Sequence, residues 1–183
     1  MRGRREGGGL LMKTILALMI VLVAVVAGVA CAGGGVPNNA APPTSPGAGS
    51  AGIVAPTWVT PEVRGDTVSV PLSEVQGGKM VHFRVESNGS DMAFMAYRLG
   101  GQTYVRASIC PPCRSQSFSL AGDVLDCDNC HTKFNAATGA GISGPCVNYP
   151  KAAAPFVVDG DRITMQMDDL LTAYIGTMEP GWP

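Results

Sequence analysis

Four of the six cysteines in this 183-residue chain fall in one short stretch: Cys110-Pro-Pro-Cys113, thirteen further residues, then Cys127-Asp-Asn-Cys130. A single Cys-x2-Cys is a weak signal, but two of them at this separation are strong. Two thiolates three positions apart on a tight turn grip one side of a metal centre while backbone amides point toward the sulfurs. A hairpin between the pairs brings the second two thiolates in from the other side, completing four soft ligands. Pro111-Pro112 stiffens the first turn, and Asp128-Asn129 suits the second.

Four thiolates fit an iron–sulfur centre or one zinc ion, and spacing alone does not separate them. Zinc would make the unit a structural zinc-ribbon-like interaction domain. Two disulfides, or a thiol–disulfide redox pair at Cys110 and Cys113, are a third possibility in an oxidising compartment. A fourth is c-type haem, because Cys127-Asp-Asn-Cys130-His131 is a Cys-x2-Cys-His string. His131 would then be one axial ligand, with His82 or a methionine as the other. A fifth cysteine, Cys146, follows in Gly144-Pro145-Cys146. It is read as a further ligand, a replacement ligand or a free thiol beside the cluster.

The elements that must position these thiols read as strands. Asp66–Leu72 alternates, and so does Lys79–Glu86, with Val81, Phe83 and Val85 on one face and Met80, His82, Arg84 and Glu86 on the other. Met92–Tyr97 and Thr103–Arg106 flank Gly100-Gly101, the mark of a hairpin. Ser115–Leu120 with Val124-Leu125, and Phe156–Val158 with Arg162–Met167, give two more. Asp168 and Asp169 are placed to cap a short helix running through Tyr174. The expected class is mainly β: a small domain of hairpins carrying two Cys-x2-Cys knuckles and a short C-terminal helix.

That domain is assigned to residues 57–183. Ahead of it, Arg2, Arg4, Arg5 and Lys13 precede an apolar run from Ile15 to Ala30, the pattern of an export signal over residues 1–30. Met12 could equally be the start. Gly28-Val29-Ala30-Cys31 resembles a lipoprotein cleavage site, so Cys31 is expected to carry a lipid anchor on the extracytoplasmic side of the cell membrane. Residues 31–56 are rich in Gly, Ala, Pro and Ser, carry no charge and read as a flexible tether. Without residues 1–30 the chain has nine basic against thirteen acidic residues and no Lys/Arg cluster, which argues against a nucleic-acid partner. No Gly-x-Ser-x-Gly elbow or phosphate-cradling loop is present, and with two histidines there is little to support hydrolytic catalysis. An electron carrier or metal-binding module is expected rather than an enzyme.

From Lys79 to Asp169 the chain resembles the FtrD-like family of membrane iron–sulfur proteins. The residues that carry the resemblance are Lys79–Arg84, Ala93–Tyr97, Cys110-x2-Cys113, Phe118, Gly122-Asp123, Cys127-x2-Cys130, Phe134-Asn135 and the late Gly-x-Cys-x-Asn around Cys146. The resemblance implies an iron–sulfur centre at Cys110, Cys113, Cys127 and Cys130, with Cys146 associated. It also implies electron transfer to a partner protein in iron transport. His131 stands where that family usually has glycine, and Gly-Pro-Cys-Val-Asn replaces its usual Gly-Gly-Cys-Asn-Pro. Residues 126–165 further resemble the second half of a Rieske domain, through Phe134, Thr138-Gly139, Gly144-Pro145, Pro155 and Asp159–Ile163. Cysteines stand at both positions where a Rieske centre has histidine, so a Rieske-like scaffold with all-thiolate ligands is expected.

Overall fold

The computed structural model describes residues 52–87 and 89–181. The expected signal, Cys31 and most of the tether lie outside these residues. Twelve strands are described: β1 (Thr57–Trp58), β2 (Glu62–Arg64), β3 (Thr67–Pro71), β4 (Met80–Ser87), β5 (Ser90–Leu99), β6 (Gln102–Ala107), β7 (Phe118–Ala121), β8 (Val124–Cys127), β9 (Lys133–Asn135), β10 (Gly141–Ser143), β11 (Val157–Asp159) and β12 (Arg162–Gln166). An α-helix, α1 (Met167–Met178), follows directly, and a short 3-10 segment spans Leu72–Gly78. They form three four-stranded sheets in the orders β1-β4-β5-β6, β10-β9-β8-β7 and β11-β12-β3-β2. The class is mainly β, as the alternating segments require.

The β4–β5–β6 sheet carries apolar side chains on both faces. Register pairs Val81 with Ala96, Phe83 with Phe94 and Val85 with Met92, so these side chains share one face. They pack on Val68 and Val70 of β3, Ile163 and Met165 of β12, and Leu170 and Ala173 of α1. On the opposite face Met80 and His82 are buried beside Met95 and Tyr97. A second core covers it, in which Met80, Met95 and Tyr97 meet Phe118, Leu120, Leu125, Phe134, Cys110, Cys127 and Cys146. Full burial of each such Phe or Met stabilises by roughly 1.5–3 kcal/mol, so the cysteine-bearing sheet is held on the middle one by apolar contact. Arg84 and Glu86, on the same side of β4, stay exposed.

The C-terminal hairpin and helix differ in detail from the sequence reading. The helix begins at Met167 and ends at Met178, with Gln166 as its N-terminal boundary and no side-chain cap. Asp168 and Asp169 lie in its first turn instead of capping it, where they still face the positive end of the helix dipole. The reason is that β12 runs into the helix without a loop, leaving no room for a capping turn. At the other end, Val54, inside the segment read as tether, exchanges backbone hydrogen bonds with Leu120 at 2.8 and 3.0 Å.

Candidate metal centre

The two knuckles are built alike. In the first, Arg114 N–H donates to Cys110 C=O at 2.7 Å and Cys110 N–H to Ser115 C=O at 2.8 Å. In the second, His131 N–H donates to Cys127 C=O at 2.9 Å and Cys127 N–H to Thr132 C=O at 3.0 Å. The residue after each pair must turn left-handed to close this ring: φ is +60° at Arg114 and +53° at His131. Glycine meets that demand at least cost, which accounts for the glycine that the FtrD-like pattern has where His131 stands.

Between the knuckles, the β7–β8 hairpin turns at Gly122 and pairs Phe118 with Cys127. The second knuckle is tied to this hairpin by Asp128, which accepts from the hydroxyls of Ser117 and Ser119. Asn129 Nδ2 donates to Cys113 C=O at 3.1 Å and links the knuckles directly. A third loop then brings in Cys146. Thr132 Oγ1 accepts its backbone N–H at 3.1 Å and lies 3.2 Å from Cys130 Sγ, so one hydroxyl joins the second knuckle to the third loop.

All five sulfurs converge, and none is in a disulfide. Sγ–Sγ distances are 3.9 Å for Cys110–Cys130, 3.7 Å for Cys113–Cys127 and 3.7 Å for Cys130–Cys146. The sulfurs of Cys110, Cys113, Cys130 and Cys146 all lie within 4.8 Å of one another. Thiolates about 2.3 Å from a tetrahedral metal sit roughly 3.8 Å apart, so the donor set and spacing suit thiolate-bound metal. The closest pairs bridge different loops, whereas a Cys-x2-Cys redox pair would close within one.

Electrostatics favour thiolate at the second knuckle. The neighbouring Cys110 thiol, with the backbone N–H groups of Cys130 and Asn129, holds Cys127 down to about 4 against the opposing effect of burial. The same contact with Cys127 pushes Cys110 up, and burial adds to it. Burial also pushes Cys130 up, but hydrogen bonds from Thr132 outweigh it and the net shift is downward. A proton retained on one sulfur thus stabilises charge on its neighbour.

The two histidines stand apart from this arrangement. His131 is 79% exposed along its side chain, with Nδ1 3.5 Å from Asp126. His82 is fully buried; its Nε2 accepts from Phe118 N–H at 3.4 Å, and burial lowers its pKa to about 4. It is therefore neutral near pH 7.

Three contributors were not singled out from the sequence. Arg106 is buried and donates to the carbonyls of Ala136, Ala137 and Lys151 and to Tyr97 Oη, pinning the loop between β9 and β10 to the segment after Cys146. Thr132 is the hydroxyl described above. Lys151, 1% exposed, donates from Nζ to Ile109 C=O at 2.6 Å. Burial lowers its pKa to about 8, opposed by the thiols of Cys110, Cys127, Cys146 and Cys113. An isolated lysine among alanines and prolines was the available signal. Gly144 is a fourth constraint, with φ of +114° and a would-be Cβ 2.6 Å from Thr132 Cα. Gly144→Ala is expected to push Cys146 away from Cys130 and to cost roughly 2–4 kcal/mol through backbone strain and overlap, read from the midpoint of denaturant unfolding.

Comparison with solved structures finds similarity to a chain from the "Complex of reduced oxygenase and oxidized ferredoxin in carbazole 1,9a-dioxygenase", 25% identical, TM-score 0.47, over 57% of this chain and 95% of that one. It also finds a Sphingomonas yanoikuyae B1 ferredoxin, 20% identical, TM-score 0.44, over 52% and 92%. The ferredoxin of carbazole 1,9a-dioxygenase from Nocardioides aromaticivorans IC177 is 25% identical, TM-score 0.43, over 59% and 98%. No curated protein matches in sequence. The model of the FtrD-like membrane iron–sulfur-containing proteins matches residues 75–174, more than half the chain and the whole stretch that carries the five thiols. The chain belongs to that family, and the cofactor its cysteines serve is an iron–sulfur centre.

Proposed function

We propose that this protein is an extracytoplasmic, membrane-anchored electron carrier that serves iron transport, with its iron–sulfur centre held by Cys110, Cys113, Cys127 and Cys130 and with Cys146 beside Cys130. The observation that carries this reading is the convergence of five unpaired thiols from two matching knuckles and a third loop, at spacings suited to metal. When bound, the centre supplies one-electron redox chemistry at a potential set by its surroundings. The chain's own residues do the rest. The knuckle amides and Thr132 steady the sulfurs, Phe118 and Phe134 exclude water, and the buried face against Met95 and Tyr97 keeps the loops from spreading.

Charge exchange with a partner protein fits the exposed knuckle tips: Cys113 and Cys130 are the least buried thiols, so an electron reaches the surface there. An oxidised, anaerobically prepared sample should bleach and recover reversibly in a potentiometric titration. A spectrum that does not respond to potential would overturn the carrier reading. The haem alternative finds no support in the geometry, because Cys127 and Cys130 face other thiols and His131 faces solvent.

The anchor makes a separate prediction. Among the described residues no helix is long and apolar enough to cross a membrane; the proposed anchor is Cys31, in the N-terminal segment. Cys31→Ser is expected to move most of the protein from washed membranes to the soluble fraction with its iron intact. Retention on the membrane would point to an uncleaved signal anchor in place of a lipid.

A further inference from the structure

Lys151 is buried without an ionic partner. The ion pairs among the described residues join Arg64 to Glu62, His131 to Asp126 and Arg162 to Glu62, and none involves it. Its ammonium makes one hydrogen bond, to Ile109 C=O, and lies 4.5 Å from the Phe134 ring centroid and 5.4 Å from that of Phe118. The side chain is also unable to reach water by a small backbone shift. Lys151 N–H donates to Gly139 C=O at 2.8 Å, and Lys151 C=O accepts from Arg106 at 2.7 Å. A lone ammonium in such surroundings is costly unless an anion compensates it.

The fold places that anion. Ile109 immediately precedes Cys110, Phe118 pairs in register with Cys127, and Phe118, Phe134, Cys110, Cys127 and Cys146 belong to one buried cluster. The ammonium is therefore buried against the same cluster that holds the thiols. We infer that Lys151 is the fixed counter-charge of the cysteine cluster and that it raises the reduction potential of the centre held there. This deepens the iron–sulfur reading and rests on it. A four-thiolate centre gains one unit of negative charge when it takes up an electron, so a nearby buried cation favours the reduced state over the oxidised one. An aromatic lining keeps water from screening the pair. Lys151 acts through the centre's charge and is a positioning and tuning residue, with no ligand role.

The test uses the full chain, prepared without air, as parent, Lys151→Met and Lys151→Arg. Iron and sulfide content, midpoint potential and the melting temperature of metal-stripped protein are measured for each. Lys151→Met is expected to keep its iron and sulfide while its reduction equilibrium shifts at least tenfold toward the oxidised form, a fall of 59 mV for one electron. Lys151→Arg keeps the charge and should stay within about threefold of the parent. Stripped of metal, Lys151→Met should melt close to or above the parent, because relief of the buried ammonium offsets the lost hydrogen bond to Ile109 C=O. Full iron with an unchanged potential in Lys151→Met would overturn the assignment. So would a stripped variant that melts well below the parent, which would make the lysine a packing residue. Should Lys151→Met fold but hold no iron, with stripped stability at or above the parent's, the counter-charge is supported as a condition of assembly. A parent lacking iron and sulfide would instead sink the iron–sulfur reading on which this inference rests.

Discussion

Replacing Cys110 or Cys127 by serine is expected to reduce bound iron and sulfide to under about a tenth of the parent's. Both sulfurs are fully buried in the second core, one from each knuckle, so a hydroxyl in either place removes one soft ligand of the proposed four. The loss should exceed the roughly 10- to 100-fold weakening typical when a group behind the ligands is changed. Cys146→Ser should behave differently, keeping more than about half of the iron, because four thiolates remain on the knuckles. The proximity of Cys146 to Cys130, 3.7 Å, sets up a clear alternative. If Cys146→Ser lost its iron while Cys127→Ser kept it, the ligands would be Cys110, Cys113, Cys130 and Cys146, the four sulfurs that lie within 4.8 Å of one another.

The largest effect on folding is expected at Arg106. Its guanidinium serves the carbonyls of Lys151, Ala137 and Ala136, and only the last keeps another donor, Tyr97 Oη at 2.6 Å. Arg106→Met would leave the buried Lys151 carbonyl unpaired at about 1–3 kcal/mol and the partly buried Ala137 carbonyl at about 1–2 kcal/mol, a total of roughly 2–5 kcal/mol. For a domain of this size that corresponds to a fall in Tm of about 10 °C, read by thermal unfolding of the metal-free protein. Arg106→Lys should recover little of this, because a single ammonium cannot reproduce a planar fork that reaches three carbonyls. Equal stability of Arg106→Met and the parent would show that solvent takes over those carbonyls through the cavity of about 430 Å³ that Arg106 lines.

Local pattern made the knuckles, the hairpins and the C-terminal helix legible. The spacing of Cys110, Cys113, Cys127 and Cys130 implies a metal site before any fold is known, since thiolate geometry constrains sequence separation directly. The alternation Val81, Phe83, Val85 likewise marks one face of β4. What escaped the sequence was set by tertiary packing. Met80 and His82 look like a solvent face until the cysteine-bearing sheet covers them. Side-chain type alone does not show that carbonyls from residues 30 to 45 positions away will meet Arg106 and Lys151. The place of Cys146 depended on Thr132 and Gly144, whose contacts join three loops that are remote in sequence.

Iron and acid-labile sulfide, counted per chain in the full-length protein isolated without air, test the central claim most directly. A thiolate-held iron–sulfur centre predicts at least about two irons with matching sulfide per chain, and thiolate-to-iron absorption that fades on reduction. One zinc per chain in a colourless protein, with no sulfide, would contradict it and leave the five thiols holding a structural ion with no redox chemistry.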